Sequence, residues 1–408
     1  MNPSFSCVSK IRMPLMAVAA IVLFVSIGEA QSLPSGSWTT LPAPSCSPKG
    51  KKFQTYLNAA AWIPSKQLGF AVGSCRQDPF QNAFFPLVYR VTPKSGGVPM
   101  PAYVNPAYSA NILNAVSADS PTDVWAAGYS YNPCCEWVVN VQRFTGGAFQ
   151  PISCPNPGNN QNIAYGVLAF APDNVYIAGS YNGTTTSPKT YFAHWNGVSC
   201  MMITSPNPSA DDNELYAIGG SSPQDIWLVG QYGNSAGYIP LCIHYDGTNF
   251  AQYTCPTGPG SYYRQELVSV SAIAGGYAWA AGYSTPDYAM FNGLNDSFSN
   301  GSWSFEDPAE STCFSDVTRT WGVAGVNPTF AWQVGECQGG CVIAFWNGHW
   351  NNFPCPVIPK VDYNVLLGVS AGDTHTALAA GSYNLSTQTG SGSMLPFIAL
   401  YTDKGHEQ

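Results

Sequence analysis

One pattern recurs seven times along the 408-residue chain, and it constrains the fold more than any other feature. A small residue is followed by an apolar run, a turn, and then an aromatic residue three positions before a glycine. The seven segments begin AAWIPSKQLGFAVG at 60, AVSADSPTDVWAAG at 115, GVLAFAPDNVYIAG at 166, AIGGSSPQDIWLVG at 217, SVSAIAGGYAWAAG at 269, GVAGVNPTFAWQVG at 322 and GVSAGDTHTALAAG at 368. They close on Gly73, Gly128, Gly179, Gly230, Gly282, Gly335 and Gly381. A period near fifty residues built from short β-type runs indicates repeated antiparallel sheets rather than stacked helices.

Each column has a physical reason. The position three before the glycine holds Phe70, Trp125, Tyr176, Trp227, Trp279, Trp332 or Leu378, and a wide ring there fills the wedge between neighbouring sheets. Small first residues suit crowded innermost strands. Hairpins follow, as in FAHWNGVSC (192–200) and CIHYDGTNF (242–250), with Asn-Gly or Asp-Gly at the tip. The expected fold is an all-β, seven-bladed β-propeller with four antiparallel strands per blade. PFIALYTDKG (396–405) reads as a third strand without a fourth, and WTTLPAPSC (38–46) as a fourth without a third. The two termini are therefore expected to share the closing blade.

The core Asp-Val-Trp-Ala-Ala-Gly, the hairpin HWNGVSC and the exit SPNPS resemble a repeat of secreted bacterial propeller proteins, over about 38–402. The resemblance implies fold and export, and no activity.

The first 30 residues read as a signal peptide. Lys10 and Arg12 precede an apolar run from Met13 to Ile27, and Gly28-Glu29-Ala30 offers a cleavage site. The propeller domain is then 31–405, and the protein is expected to be secreted, with no membrane span after cleavage. The remainder holds twelve of the 13 cysteines, an even number suited to disulfides. Cys242 with Cys255 and Cys341 with Cys355 straddle hairpin turns at similar offsets and are expected to pair. Cys134 or Cys135 is expected to join Cys154, and Cys46 to join Cys75. Sequons stand at Asn182, Asn295, Asn300 and Asn384. Charged residues are only 9% of the chain, with no Lys/Arg cluster, which argues against a nucleic-acid partner.

Candidate site residues lie at the entry to the innermost strands. A column of amides comprises Asn111, Asn162, Asn213, Gln265 and Asn364, with Tyr56 and Thr318 at the remaining places. One residue later come Leu57, Ile112, Ile163, Glu214, Glu266, Arg319 and Val365. Tyr181 and Tyr232 follow the repeat glycines. Aromatic faces and amides at low charge suit neutral sugars, although the same amides equally suit loop backbones. The expected function is a non-catalytic binding or scaffold protein that recognises a glycan or extracellular protein. The alternatives are a glycoside hydrolase or polysaccharide lyase using Glu214, Glu266 and Arg319, or a cell-surface structural protein. No cofactor or catalytic metal is expected; the loop Asp211-Asp212-Asn213-Glu214 supplies oxygens for a structural calcium. No histidine set or GxSxG suggests a triad.

Overall fold

A computed structural model describes residues 33–46, 54–76, 83–132, 136–183, 187–234, 237–258, 263–286, 290–306, 318–385 and 394–403. The proposed signal peptide lies outside them. The chain divides into a unit at Met1–Leu33 and a compact unit at Pro34–Gln408; everything below concerns the second. Among the described residues it is all-β, with a single 3-10 turn at Pro64–Lys66.

The strands form seven successive four-stranded antiparallel units. The fourth is representative. Asn213–Ser222 pairs with Asp225–Asn234, which pairs with Gly237–Tyr245, which pairs with Phe250–Tyr253. The first strands of the seven units are Gln54–Ile63, Ala110–Ser120, Asn162–Ala171, Asn213–Ser222, Arg264–Ile273, Thr318–Asn327 and Val361–Ala371. Single parallel pairings, Phe84 with Ala110 and Tyr238 with Arg264, join units one and two and units four and five. The seventh unit takes its outer strand from the other end of the chain. Ser37–Leu41 runs antiparallel to Leu395–Thr402, with Trp38 opposite Tyr401 and Leu41 opposite Ile398.

Every first strand carries a β-bulge at one register. It falls at Asn58, Asn114, Tyr165, Tyr216, Val268, Trp321 and Leu367. The bulge brings the backbone carbonyl of the strand onto the repeat glycine. A β-carbon on Gly73, Gly128, Gly179, Gly230, Gly282, Gly335 or Gly381 would lie 1.8–2.1 Å from that oxygen. No side chain fits there, so the glycine column follows from close approach.

The aromatic column is buried throughout and packs on the following unit. Trp227 meets Phe298 at 4.5 Å and Trp303 at 5.1 Å. Trp332 meets Trp38 at 5.3 Å and Tyr401 at 4.7 Å. The indole N–H groups of Trp125, Trp279 and Trp332 are buried without an acceptor. Burying a ring of about 200 Å² contributes about 5 kcal/mol, against about 1–3 kcal/mol for the lost hydrogen bond. The ring therefore wins.

Serines stitch one first strand to the next. Ser117, Ser269 and Ser271 hydroxyls accept backbone N–H bonds from Ala169, Val323 and Gly325, and Ser370 accepts from Trp62. The last of these joins unit seven to unit one. Disulfides link Cys46–Cys75, Cys154–Cys200, Cys242–Cys255 and Cys341–Cys355. The expected partner of Cys154 is corrected: it bonds Cys200 of the next unit, because the exit loop of unit two runs beside the outer strand of unit three. Cys134 and Cys135 lie outside the described residues.

Asp296 sits on the third strand of unit five, where units three, four, six and seven hold Ala193, Ile243, Ala344 and Ala399. It is buried with neither oxygen hydrogen-bonded. Desolvation, then Glu306 nearby, holds its carboxyl well above the ordinary range. Asn295, a sequon residue, is also fully buried.

Two outcomes are expected. Deleting residues 33–42 leaves Trp332 and Tyr401 exposed, and thermal unfolding of the purified chain loses its single cooperative transition. Asp296→Ala raises stability at pH 7 by about 2 kcal/mol. A raised folded-state value means that wild type is least penalised below the unfolded value of about 3.9. Wild type then loses stability as pH rises from there towards its folded-state value. The advantage of the variant should therefore shrink towards pH 4, read from denaturant midpoints across pH.

Candidate functional site

The amide column bonds the backbone, mostly of its own entry loops. Asn111 Oδ1 accepts the Asn105 N–H at 2.9 Å and the Ser130 hydroxyl at 2.9 Å. Asn162 Oδ1 accepts from Gly158 N–H at 2.7 Å, and its Nδ2 donates to the Trp137 carbonyl at 3.1 Å. Asn213 Oδ1 accepts from Ser209 N–H at 3.0 Å, and its Nδ2 donates to Ser209 and Asp211 carbonyls. Gln265 and Asn364 accept from Gly258 and Cys341 N–H groups. All five are buried. These bonds support the backbone-capping reading of the column.

Tyr181 and Tyr232 lie opposite Asn162 and Asn213 and share their side of the sheet. Both pack against inter-unit hydrophobic clusters. The next residue along each strand faces the other way. There the first strands carry Tyr56, Ile112, Ile163, Glu214, Glu266, Arg319 and Val365. Their partners on the second strands are Ser74, Tyr129, Ser180, Gln231, Tyr283, Glu336 and Ser382. Tyr56 thus belongs to this column and Thr55 to the amide column. The first unit has one extra residue in its inner turn, where Gln67 adopts φ 46°, and this displaces the sequence alignment by one.

This second column is continuous with the bulge residues, and together they form one polar and aromatic cluster. The Tyr216 hydroxyl donates to Glu214 Oε2 at 2.7 Å and accepts from Gln231 Nε2 at 2.8 Å and Arg264 Nη2 at 3.3 Å. Gln231 Nε2 also donates to Glu214 Oε2 at 2.9 Å. Arg264 pairs with Glu266 at 2.6 Å and lies over the Tyr238 ring at 5.4 Å. Arg319 pairs with Glu336 at 2.9 Å and stacks on Phe291 at 3.5 Å. The Tyr363 hydroxyl donates to Glu336 Oε2 at 2.8 Å. Tyr165 meets Tyr216 edge-on at 5.2 Å, and Trp321 meets Tyr283 at 5.3 Å. Tyr129 stacks on Trp137 at 4.9 Å.

The seven bulge residues also line one cavity of about 190 Å³, to which all seven first strands contribute. Further along the same strands a second cavity of about 250 Å³ is again lined by all seven.

Glu214, Glu266 and Arg319 therefore share one cluster, but with intermediaries. Tyr216 and Arg264 stand between the two glutamates, and Arg319 is held by Glu336. Burial raises the Glu266 carboxyl despite Arg264, and Glu214 adds to the rise. Burial pushes the Tyr165, Tyr216, Tyr283 and Tyr363 phenols up, and glutamates beside them push the same way. Sequence reasoning missed Tyr216, Gln231, Arg264, Glu336 and Trp321. For Tyr216 and Trp321 the signal available was their place directly before the small residue of their repeats.

The loop Asp211–Glu214 does not converge. Asp212 takes the Tyr238 hydroxyl, Asn213 caps backbone and Glu214 turns to Tyr216. Among the described residues, no three His, Cys, Asp or Glu gather as a metal site. His194 and His244 occupy equivalent places, bonding Asn174 at 2.8 Å and Asp225 at 2.9 Å, and each contacts the aromatic residue of its own unit.

The sequence matches no protein-family model and no curated protein. Solved structures of similar fold are propeller-like. YCF48 bound to D1 peptide is 12% identical with a TM-score of 0.51, over 91% of this chain and 98% of that one. A PL25 ulvan lyase bound to -[GlcA(1-4)Rha3S]- is 8% identical with a TM-score of 0.53, over 85% and 93%. An ancestral GH74 enzyme is 13% identical with a TM-score of 0.50, over 87% of this chain and 48% of that one. The chain shares a β-propeller-like fold with them. Among the described residues, no helix is long and apolar enough to cross a membrane.

Asn213→Ala should cost about 2–3 kcal/mol of stability by stranding two backbone carbonyls and an N–H. Chemical denaturation measures the loss. Unchanged stability would show that the amide is not a structural cap.

Proposed function

We propose that the mature chain is a secreted, seven-bladed propeller that binds a glycan at the mouth of its central channel, without catalysing a reaction. The seven units are its blades. Ser37–Leu41 completes the last blade and closes the ring. A cleaved segment at 1–30 directs export, and the disulfides among the described residues suit the oxidising compartment beyond it.

The observation that carries the binding reading is the belt of rings and fixed polar groups at the channel mouth. Trp137, Tyr129, Tyr165, Tyr216, Tyr283 and Trp321 offer ring faces and edges, and sugar C–H faces stack on such surfaces. The polar groups between them are held by one another. Two arginines are neutralised by Glu266 and Glu336, which suits an uncharged ligand. The same pairing disfavours chemistry. A general base needs a group poised near the working pH, and burial keeps these phenols protonated. The retaining and inverting geometries need two carboxylates facing one bond, whereas Tyr216 and Arg264 occupy the space between Glu214 and Glu266.

A carbohydrate-active role at the same mouth is the second reading, because one cluster holds both glutamates. A panel of soluble polysaccharides separates the two. Retention of the exported, disulfide-bonded chain is scored together with release of reducing or unsaturated ends. Retention without product is expected. Product formation would replace binding with catalysis, and failure to retain any glycan would move the function to a protein ligand.

A further inference from the structure

Glu214 differs from the other glutamates of the cluster. Glu266 and Glu336 each carry an arginine, and the Tyr283 and Tyr363 hydroxyls add to them. Among the described residues, no cation is bonded to Glu214. Both donors that reach it, Tyr216 and Gln231, go to Oε2. Oε1 accepts no hydrogen bond among the described residues and is not sealed from solvent. The direction of the bonds is settled by chemistry. Arg264 and the Gln231 amide nitrogen can only donate, so the Tyr216 hydroxyl must give its proton to Glu214. The result is a carboxylate clamped through one oxygen, with the other presented as an acceptor.

The adjacent cavity wall has the same bias. Asn58 and Asn114 spend their Nδ2 groups on the carbonyls of Leu113 and Ala164 in the next unit, at 2.8 and 2.9 Å. Among the described residues their Oδ1 atoms accept no hydrogen bond, and they are not buried. Both residues line the cavity that Tyr165, Tyr216 and Trp321 also line. Two amide oxygens and one carboxylate oxygen are thus offered beside aromatic rings. A ligand that brings hydroxyl donors satisfies them. One that brings a carboxylate places acceptor against acceptor, and the two arginines that could compensate are already paired.

We propose that Glu214 is the specificity-determining residue of the mouth and selects neutral, hydroxyl-rich glycans over uronate-bearing ones. This rests on the glycan-binding reading above. The test uses the exported full chain, with galactomannan as the neutral probe and polygalacturonate as the acidic one. Glu214→Gln keeps the shape. Its amide oxygen takes the place of Oε2 under Tyr216 and Gln231, so its NH₂ replaces Oε1 and turns an acceptor into a donor. Retention of galactomannan should fall about tenfold or more, the loss of one charge-assisted bond. Retention of polygalacturonate should rise, with the melting temperature unchanged. Tyr216→Phe, which unclamps the carboxylate without removing it, should weaken galactomannan in the same direction.

Unaltered galactomannan retention in Glu214→Gln, or wild type holding polygalacturonate as tightly as galactomannan, overturns the assignment while leaving glycan binding in place. Wild type that retains neither probe, nor any glycan of the wider panel, overturns both.

Discussion

The approach of each first-strand carbonyl to the repeat glycine is the contact on which the rest of the structure depends. It exists because every first strand is bulged at the same register. The bulge inserts one unpaired residue, and the strand on either side keeps its alternation. Residues before the bulge alternate between the neighbouring sheets and the polar cluster, and the bulged residue itself lines the cavity to which all seven first strands contribute. With a β-carbon at the glycine the strands could not close together, and seven side chains would lose their common level. Stability and the candidate site therefore share one backbone irregularity.

The wedge aromatics take the opposite approach to the same crowding. Several bury an indole N–H without an acceptor, and ring area outweighs the penalty. The cluster around Glu214, Glu266 and Glu336 also leaves the Trp321 indole N–H and Arg319 Nε buried without an acceptor, but its carboxylates take their donors from the same or the adjacent unit. Arg264 reaches from unit five to Tyr216 of unit four, and Tyr363 of unit seven reaches Glu336 of unit six. Distances in this cluster are thus set by how the sheets pack, not by any one loop.

Much of this was legible in the sequence. The repeat, the small column and the wedge aromatic follow from steric demands that recur at every turn of the pattern. The Cys242–Cys255 and Cys341–Cys355 bonds follow from hairpin offsets. The Cys154–Cys200 bond does not, because it joins two units and has no local period. The site was half legible. Glu214, Glu266 and Arg319 do cluster, but the amide column and Tyr181 and Tyr232 sit on the other side of their strands. A shift of one residue exchanges the two sides, and sequence columns carry no mark of which side is which. In the first unit the longer inner turn moved even the column itself, from Thr55 to Tyr56.

The pairing of Ser37–Leu41 with Leu395–Thr402 has a consequence in time. Thr39 bonds the carbonyl of Leu400, 361 positions away. During synthesis Ser37–Leu41 emerges long before Leu395–Thr402, the strand it pairs with. Six units can assemble from neighbours in order, but the seventh waits for both ends. Trp38 and Leu41 stay uncovered for that interval, so a chain halted before Leu395 keeps an open sheet edge available to other chains.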